Sequence, residues 1–146
     1  MKKRYALFIF ILIECFFSIS LLNAQNACLA MNADGSVVYK LLSSKKMTNN
    51  AIRKMEKQAI MDVIYSGIQI SELCSAQPPL ITDEAAKAKF NLIQSSFFSN
   101  KGTWLEYIHI QNVKYEGMCL NVLIERARLR SYLEAHNIIL RLNNGF

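Results

Sequence analysis

The first 24 residues constrain this chain more than any other segment, because they decide how much of it is left to fold and where. Lys2, Lys3 and Arg4 form a basic head. An apolar run follows from Tyr5 to Ile13, and after Glu14 it resumes from Cys15 to Leu22. A positive head ahead of a short apolar stretch is what the secretion machinery threads into the membrane. The expected cut falls after Ala24, so that the mature chain starts at Gln25; Leu22 is larger than the minus-three position prefers. An uncleaved anchor would need about 20 apolar residues, and Glu14 puts a carboxylate near the middle of the span, where hydrocarbon penalises it. Lipid attachment at Cys28 fits poorly, since Gln25, Asn26 and Ala27 precede that cysteine. The chain is therefore read as exported to the periplasm, outer envelope or medium, with a leader at 1–24 and one domain at 25–146.

Removing 24 of 146 residues leaves 122. A domain of that size buries about two-thirds of its unfolded surface and needs neither a metal nor a lattice of disulfides to fold. Five Gly, two Pro and 19% charged residues argue against a disordered or low-complexity chain. The leader carries three basic residues and one acidic one, so the +6 of the full chain falls to +4. That mild excess is ordinary for a globular domain and does not point to nucleic acid.

Asp34-Gly35 is a turn pair, and Ser36 to Leu42 after it reads as a first strand. From Asn50 to Ser66, Ile52, Met55, Ala59 and Val63 recur at helical spacing and Ile60 and Ile64 widen the face. Arg53, Lys54, Glu56 and Lys57 are expected on the outer side, with Gly67 as the stop. Pro78-Pro79 interrupts the connector 68–82. Thr82 is the expected N-cap of a second helix, with Asp83 and Glu84 in its first turn and a stripe of Ala86, Phe90, Ile93 and Phe97. The period then changes to two. Trp104 to Gln111 and Met118 to Glu125 read as an antiparallel hairpin turning at Glu116-Gly117, with a bulge near Asn112. Arg126 to His136 returns to helical spacing, and Asn137 breaks it. Strand, helix, helix, strand, strand, helix is the order of an α+β two-layer sandwich, a small antiparallel sheet with helices on one face.

The chain carries no Gly-x-Ser-x-Gly elbow, no His-Glu-x-x-His and no glycine loop of the phosphate-cradling kind. No catalytic residue, metal ligand or cofactor is assigned. His109 and His136 lack metal partners at usable spacing. A Cys119–His109 nucleophile pair and a facing Glu106–Glu125 carboxylate pair are the two catalytic arrangements to weigh against that reading. Once Cys15 leaves with the leader, Cys28, Cys74 and Cys119 permit one bridge and leave one thiol. Cys74–Cys119 is the candidate pair; the competing view is that Cys119 is a small core residue.

Two surface candidates remain. Arg126, Arg128 and Arg130 stand in the first turn of a helix, where the dipole opposes positive charge. They would hold an anionic envelope polymer or lipid headgroup, or else pair with Glu125 and Glu134 on a solvated edge. Phe98, Trp104 and Tyr107 cluster with Phe97 at the second helix–strand junction, where they pack in the core or, if exposed, contact a partner.

Phe97-Phe98 ahead of Trp104-Leu105-Glu106-Tyr107-Ile108, an Ala24-Gln25 leader junction, and a tail running from Leu129-Arg130-Ser131-Tyr132-Leu133-Glu134 to Leu142-Asn143-Asn144-Gly145-Phe146 resemble a group of small exported proteins of Bacteroidetes-type bacteria. The likeness covers residues 80–146. More remotely, the order of elements is similar to accessory domains of envelope and flagellar-assembly lipoproteins. The resemblance implies a non-enzymatic accessory role through contact with an envelope protein, and it carries over no functional residue.

Overall fold

The computed structural model describes residues 26–43, 46–114 and 119–141. The leader, Lys45, the Glu116-Gly117 turn with Met118, and the tail from Leu142 lie outside the described residues.

Four antiparallel strands form one sheet: β1 (Asn26–Met31), β2 (Val37–Leu42), β3 (Ile108–Lys114) and β4 (Cys119–Ile124), in the order β1-β2-β4-β3. Three helices, α1 (Asn49–Tyr65), α2 (Glu84–Phe97) and α3 (Arg126–Ala135), pack with it as the α+β two-layer arrangement. Alternation along the central strands sets the layers. Val37, Tyr39 and Leu41 of β2 and Leu120, Val122 and Ile124 of β4 point into a core shared with Ile60, Val63 and Ile64 of α1, Phe90 and Phe97 of α2, and Leu129 and Leu133 of α3. On the other face, Val38, Lys40, Asn121 and Leu123 are only half-buried.

β1 is an addition to the expected order. Its sequence, Asn-Ala-Cys-Leu-Ala-Met, holds no β-branched or aromatic residue, so nothing local announces a strand. Pairing with β2 supplies the order, with a register shift between Cys28 and Ala30. In the β3–β4 ladder the register shifts between Ile110 and Asn112, so the extra residue is Gln111, next to the expected position.

Three local expectations are corrected. Asp83, not Thr82, caps α2: its Oδ1 accepts the Ala86 N–H at 2.8 Å. Glu56 is not on the outer side of α1 but 2% exposed within its buried face. Finally, the alternating run does not become a strand at Trp104. Thr103–Glu106 is a 3-10 turn and β3 starts at Ile108. A tight turn decides this, because the Gly102 N–H donates to Ser99 O at 3.0 Å and a Cβ at Gly102 would collide with the Phe97 carbonyl. The turn sends the indole inward, where Trp104 Nε1 donates to Ser99 O at 2.9 Å. Burial of that large ring overrides the period-two pattern.

Helix stops follow the expected chemistry. Gly67 has φ +73° and Asn137 φ +56°, the left-handed conformation that closes a helix and that Gly and Asn adopt most readily. The Gly67 N–H donates back to Asp62 O at 2.9 Å.

Candidate functional site

The arginines of α3 begin beside a carboxylate. Glu125 is the residue before the helix, and its backbone N–H donates to Tyr107 O at 2.9 Å, which fixes the end of β4 against the 3-10 turn. Its side chain is shared: Oε1 meets His109 Nε2 at 2.6 Å and Oε2 accepts from Arg128 Nη1 at 2.6 Å. Partial burial pushes this carboxyl up, but hydrogen bonds from Arg128 and then His109 outweigh it and leave Glu125 below the usual carboxylate range. The same contact raises the Arg128 pKa. Arg130 Nε donates to Glu134 Oε1 at 2.8 Å, one helical turn on. Arg126 turns away from both. Its Nη2 donates to Pro78 O at 2.7 Å, while its Nε is buried and unpartnered. Burial, and then Arg130, lower the Arg126 pKa.

The three arginines are thus spent separately within the chain and do not converge on one anion. Positive charge at a helix start is tolerated here because the compensating carboxylate sits immediately before the helix.

Two of the three aromatic candidates are interior. Trp104 is 1% exposed and Tyr107 6%, and Phe98 is half-buried against the core. Phe97 meets Phe98 with ring centres 4.9 Å apart and Tyr132 at 5.4 Å, and Tyr107 lies 5.8 Å from Tyr132. Edge-to-face and tilted pairs of this kind fill a core rather than present a groove. The outer wall of the cluster is cationic. Arg53 and Lys57, one turn apart on α1, stand 5.8 and 5.4 Å from the Trp104 ring centre, and Arg128 stands 5.7 Å from that of Tyr107. Trp104 and Tyr107 are therefore too buried to be the expected partner contacts, and Phe98 is exposed only in part.

The disulfide joins Cys28 to Cys74, not Cys74 to Cys119, with Cα atoms 6.2 Å apart. It pins β1 to the connector between α1 and α2. Cys119 is the free, buried thiol. It is buried, as the competing view of a small packed residue expects, but outside the main cluster, because alternation with Leu120 puts it on the opposite face of the sheet, where Sγ donates to Asn121 Oδ1 at 3.7 Å. The sheet thus stands between the free thiol and the bridge.

Neither catalytic arrangement is assembled. His109 is in register with Leu123, four residues along β4 from Cys119, a displacement of about 13 Å at the rise of a strand. Glu106 sits on the 3-10 turn rather than on a hairpin strand, and the Glu125 carboxylate is occupied by His109 and Arg128. His136 ends α3, its Nδ1 2.9 Å from Tyr132 O and its ring 4.0 Å from that of Tyr132. Among the described residues no group of three or more His, Cys, Asp and Glu is placed to hold a metal ion, and no helix is long and apolar enough to cross a membrane.

Two features escaped the sequence-based expectations. Glu56 was legible, since it lies four residues after Ile52 and four before Ile60 on the apolar face. Its burial raises the carboxyl pKa against the opposing effect of Arg53, whose Nη1 donates to it at 3.0 Å. The Cys28–Cys74 connectivity had no local signal, since spacing does not select among pairings. Compared with protein families, curated proteins and solved structures, the chain matches none.

Proposed function

We propose that the chain is an exported accessory protein of the cell envelope or its surroundings, non-enzymatic and acting through protein–protein contact. The observation that supports it best is the Cys28–Cys74 bridge. Disulfides that staple a small domain persist in oxidising compartments and are rare where thiols are kept reduced. A bridge starting four residues after the expected cleavage point fits a chain that folds after crossing a membrane, behind a leader of the secretory kind. The arginines add to the reading. They are paired with carboxylates or a carbonyl inside the domain, which leaves them little to offer a polyanion.

The test is the intact mass of the protein recovered from its own cells, with and without reduction, alongside chemical crosslinking of the intact cells. The expected mass begins at Gln25, is found in the soluble envelope fraction or the medium, and gains the mass of two hydrogens on reduction. Crosslinking is expected to give a discrete species containing a second protein. A full-length reduced chain in the cytoplasm would overturn export, and an uncrosslinked monomer under every condition would overturn the contact role.

A further inference from the structure

Residues 68–77 form a closed surface loop. The neck is a two-way backbone bridge, with the Ile68 N–H donating to Gln77 O at 2.8 Å and the Gln77 N–H to Ile68 O at 2.9 Å. A second pair closes the tip: the Ser71 N–H donates to Cys74 O at 3.0 Å and the Cys74 N–H to Ser71 O at 3.4 Å. Gly67, at φ +73°, makes the entry, and a Cβ there would run into the Gln77 carbonyl. Three anchors hold the inner side to the domain. Ile68 and Cys74 are buried, Cys74 is bonded to Cys28 of β1, and Gln77 Nε2 lies 3.9 Å from Met31 Sδ. Compact loops with joined ends are rigid surface units and often carry function.

What this loop presents is apolar. Ile70 is 78% exposed and Leu73 63%, with Glu72 between them. Single exposed leucines such as Leu92 on α2 need no explanation. Two on one covalently tied loop are different, because they contribute nothing to the core and their ordering is already complete before any partner arrives. Glu72 is also the only charged residue from 63 to 82, in a mature chain of net positive charge. That selects among occupants. Segments that enter a membrane interface bring Trp, Tyr, Lys or Arg, which this loop lacks, and an anionic leaflet repels Glu72. A protein cleft with an apolar floor and a cationic side chain at its rim complements both the leucine–isoleucine pair and the carboxylate.

We propose that the 68–77 loop is the element through which this protein engages its partner, seating Ile70 and Leu73 in an apolar cleft of another protein with Glu72 against a cationic rim. This rests on the contact role proposed above and gives it a location.

The experiment places a photo-crosslinking amino acid at one of three exposed positions: Ser75 on the loop, Leu92 on α2 or Leu42 at the end of β2. Irradiation is done in the cells that make the protein. A discrete protein adduct is expected from position 75 and not from 92 or 42. Its yield should fall about tenfold or more with I70S/L73S or E72K, while the melting temperature stays at the wild-type value. Equal adducts from all three positions, phospholipid adducts from position 75, or an adduct insensitive to these substitutions would overturn the proposal. An adduct confined to position 42 or 92 would overturn the loop assignment and leave the contact role standing. No protein adduct from any of the three positions would overturn both.

Discussion

The two ends of the helix layer are held by different physics. At one end, Phe90, Phe97, Phe98, Trp104, Tyr107 and Tyr132 pack ring against ring, with Arg53, Lys57 and Arg128 over the outer faces. At the other end, the connector between α1 and α2 sends only a few apolar side chains inward (Ile68, Leu80 and Ile81), and a disulfide, a backbone bridge and a proline pair supply the order. The first end is stabilised by burial within the folded state. A crosslink acts largely on the unfolded chain, by narrowing what it can explore. Ordering by contacts has to be concave and interior, whereas ordering by a covalent tie leaves the outer side of the segment free to present whatever function requires.

The sharpest way to break that contrast is to empty the aromatic end. Trp104→Ala should cost about 5 kcal/mol, the upper range for removing a buried ring, because it also removes the indole N–H from the Ser99 carbonyl and takes the π face from Arg53 and Lys57. Loss should be global, with melting by near- and far-ultraviolet circular dichroism falling together. A domain that keeps its melting temperature would show that the ring is not an interior element.

Removing the tie at the other end should cost less and loosen its own region most. With 46 residues separating Cys28 from Cys74, chain-entropy arguments give about 4 kcal/mol as an upper figure for Cys28→Ser with Cys74→Ser. Native-state hydrogen exchange is expected to show Ile68 and Gln77 amides losing the most protection, through local opening of the connector, while the β3–β4 ladder loses only the global share. Uniform loss across both regions would contradict the division between the two ends.

How legible these regions were follows from the same division. Period and punctuation carried the helices of the packed end, since Ala86, Phe90 and Phe97 lie inward as their spacing implies and Leu129 and Leu133 likewise. Pattern failed where one long-range contact outweighed the local signal. Trp104 alternates like a strand residue, yet its indole finds the Ser99 carbonyl and is covered by Arg53 and Lys57 of α1. Cys28 carries no sign of its partner, and β1 is ordered by β2 and by the bridge rather than by its own side chains. The arginine cluster misleads for a related reason, because composition gives the charge and only the fold shows that Arg126 turns toward Pro78 while its neighbours meet Glu125 and Glu134.

Glu56 sharpens the account of the packed end with an effect of opposite sign. Its pKa is raised by burial, so the folded state binds a proton more tightly than the unfolded chain. Stability therefore declines as pH rises from the ordinary carboxylate value through the raised one. Glu56→Gln keeps an acceptor for Arg53 and removes the buried charge. The variant should melt higher than wild type at pH 7 and show no advantage at pH 4. A lower melting temperature at pH 7 would mean that the Arg53 ion pair outweighs the desolvation of the carboxylate.

The smallest effect belongs to the rim beside Tyr107. Glu125 is held below its ordinary pKa, so its contribution is fully present above the unfolded carboxylate value and is lost as pH falls through the folded one. Both partners are exposed, His109 by 47% and Arg128 by 60%, and solvent screening keeps either contact weak. Arg128→Ala and His109→Ala should each leave the melting temperature near wild type at pH 7 and flatten the acid limb of the stability profile. Arg128→Ala should do so more, because its hydrogen bond is the stronger of the two influences lowering the Glu125 pKa. Were His109→Ala to flatten the limb more than Arg128→Ala, the carboxylate would be held mainly by the strand, and the rim would belong to the sheet rather than to the start of α3.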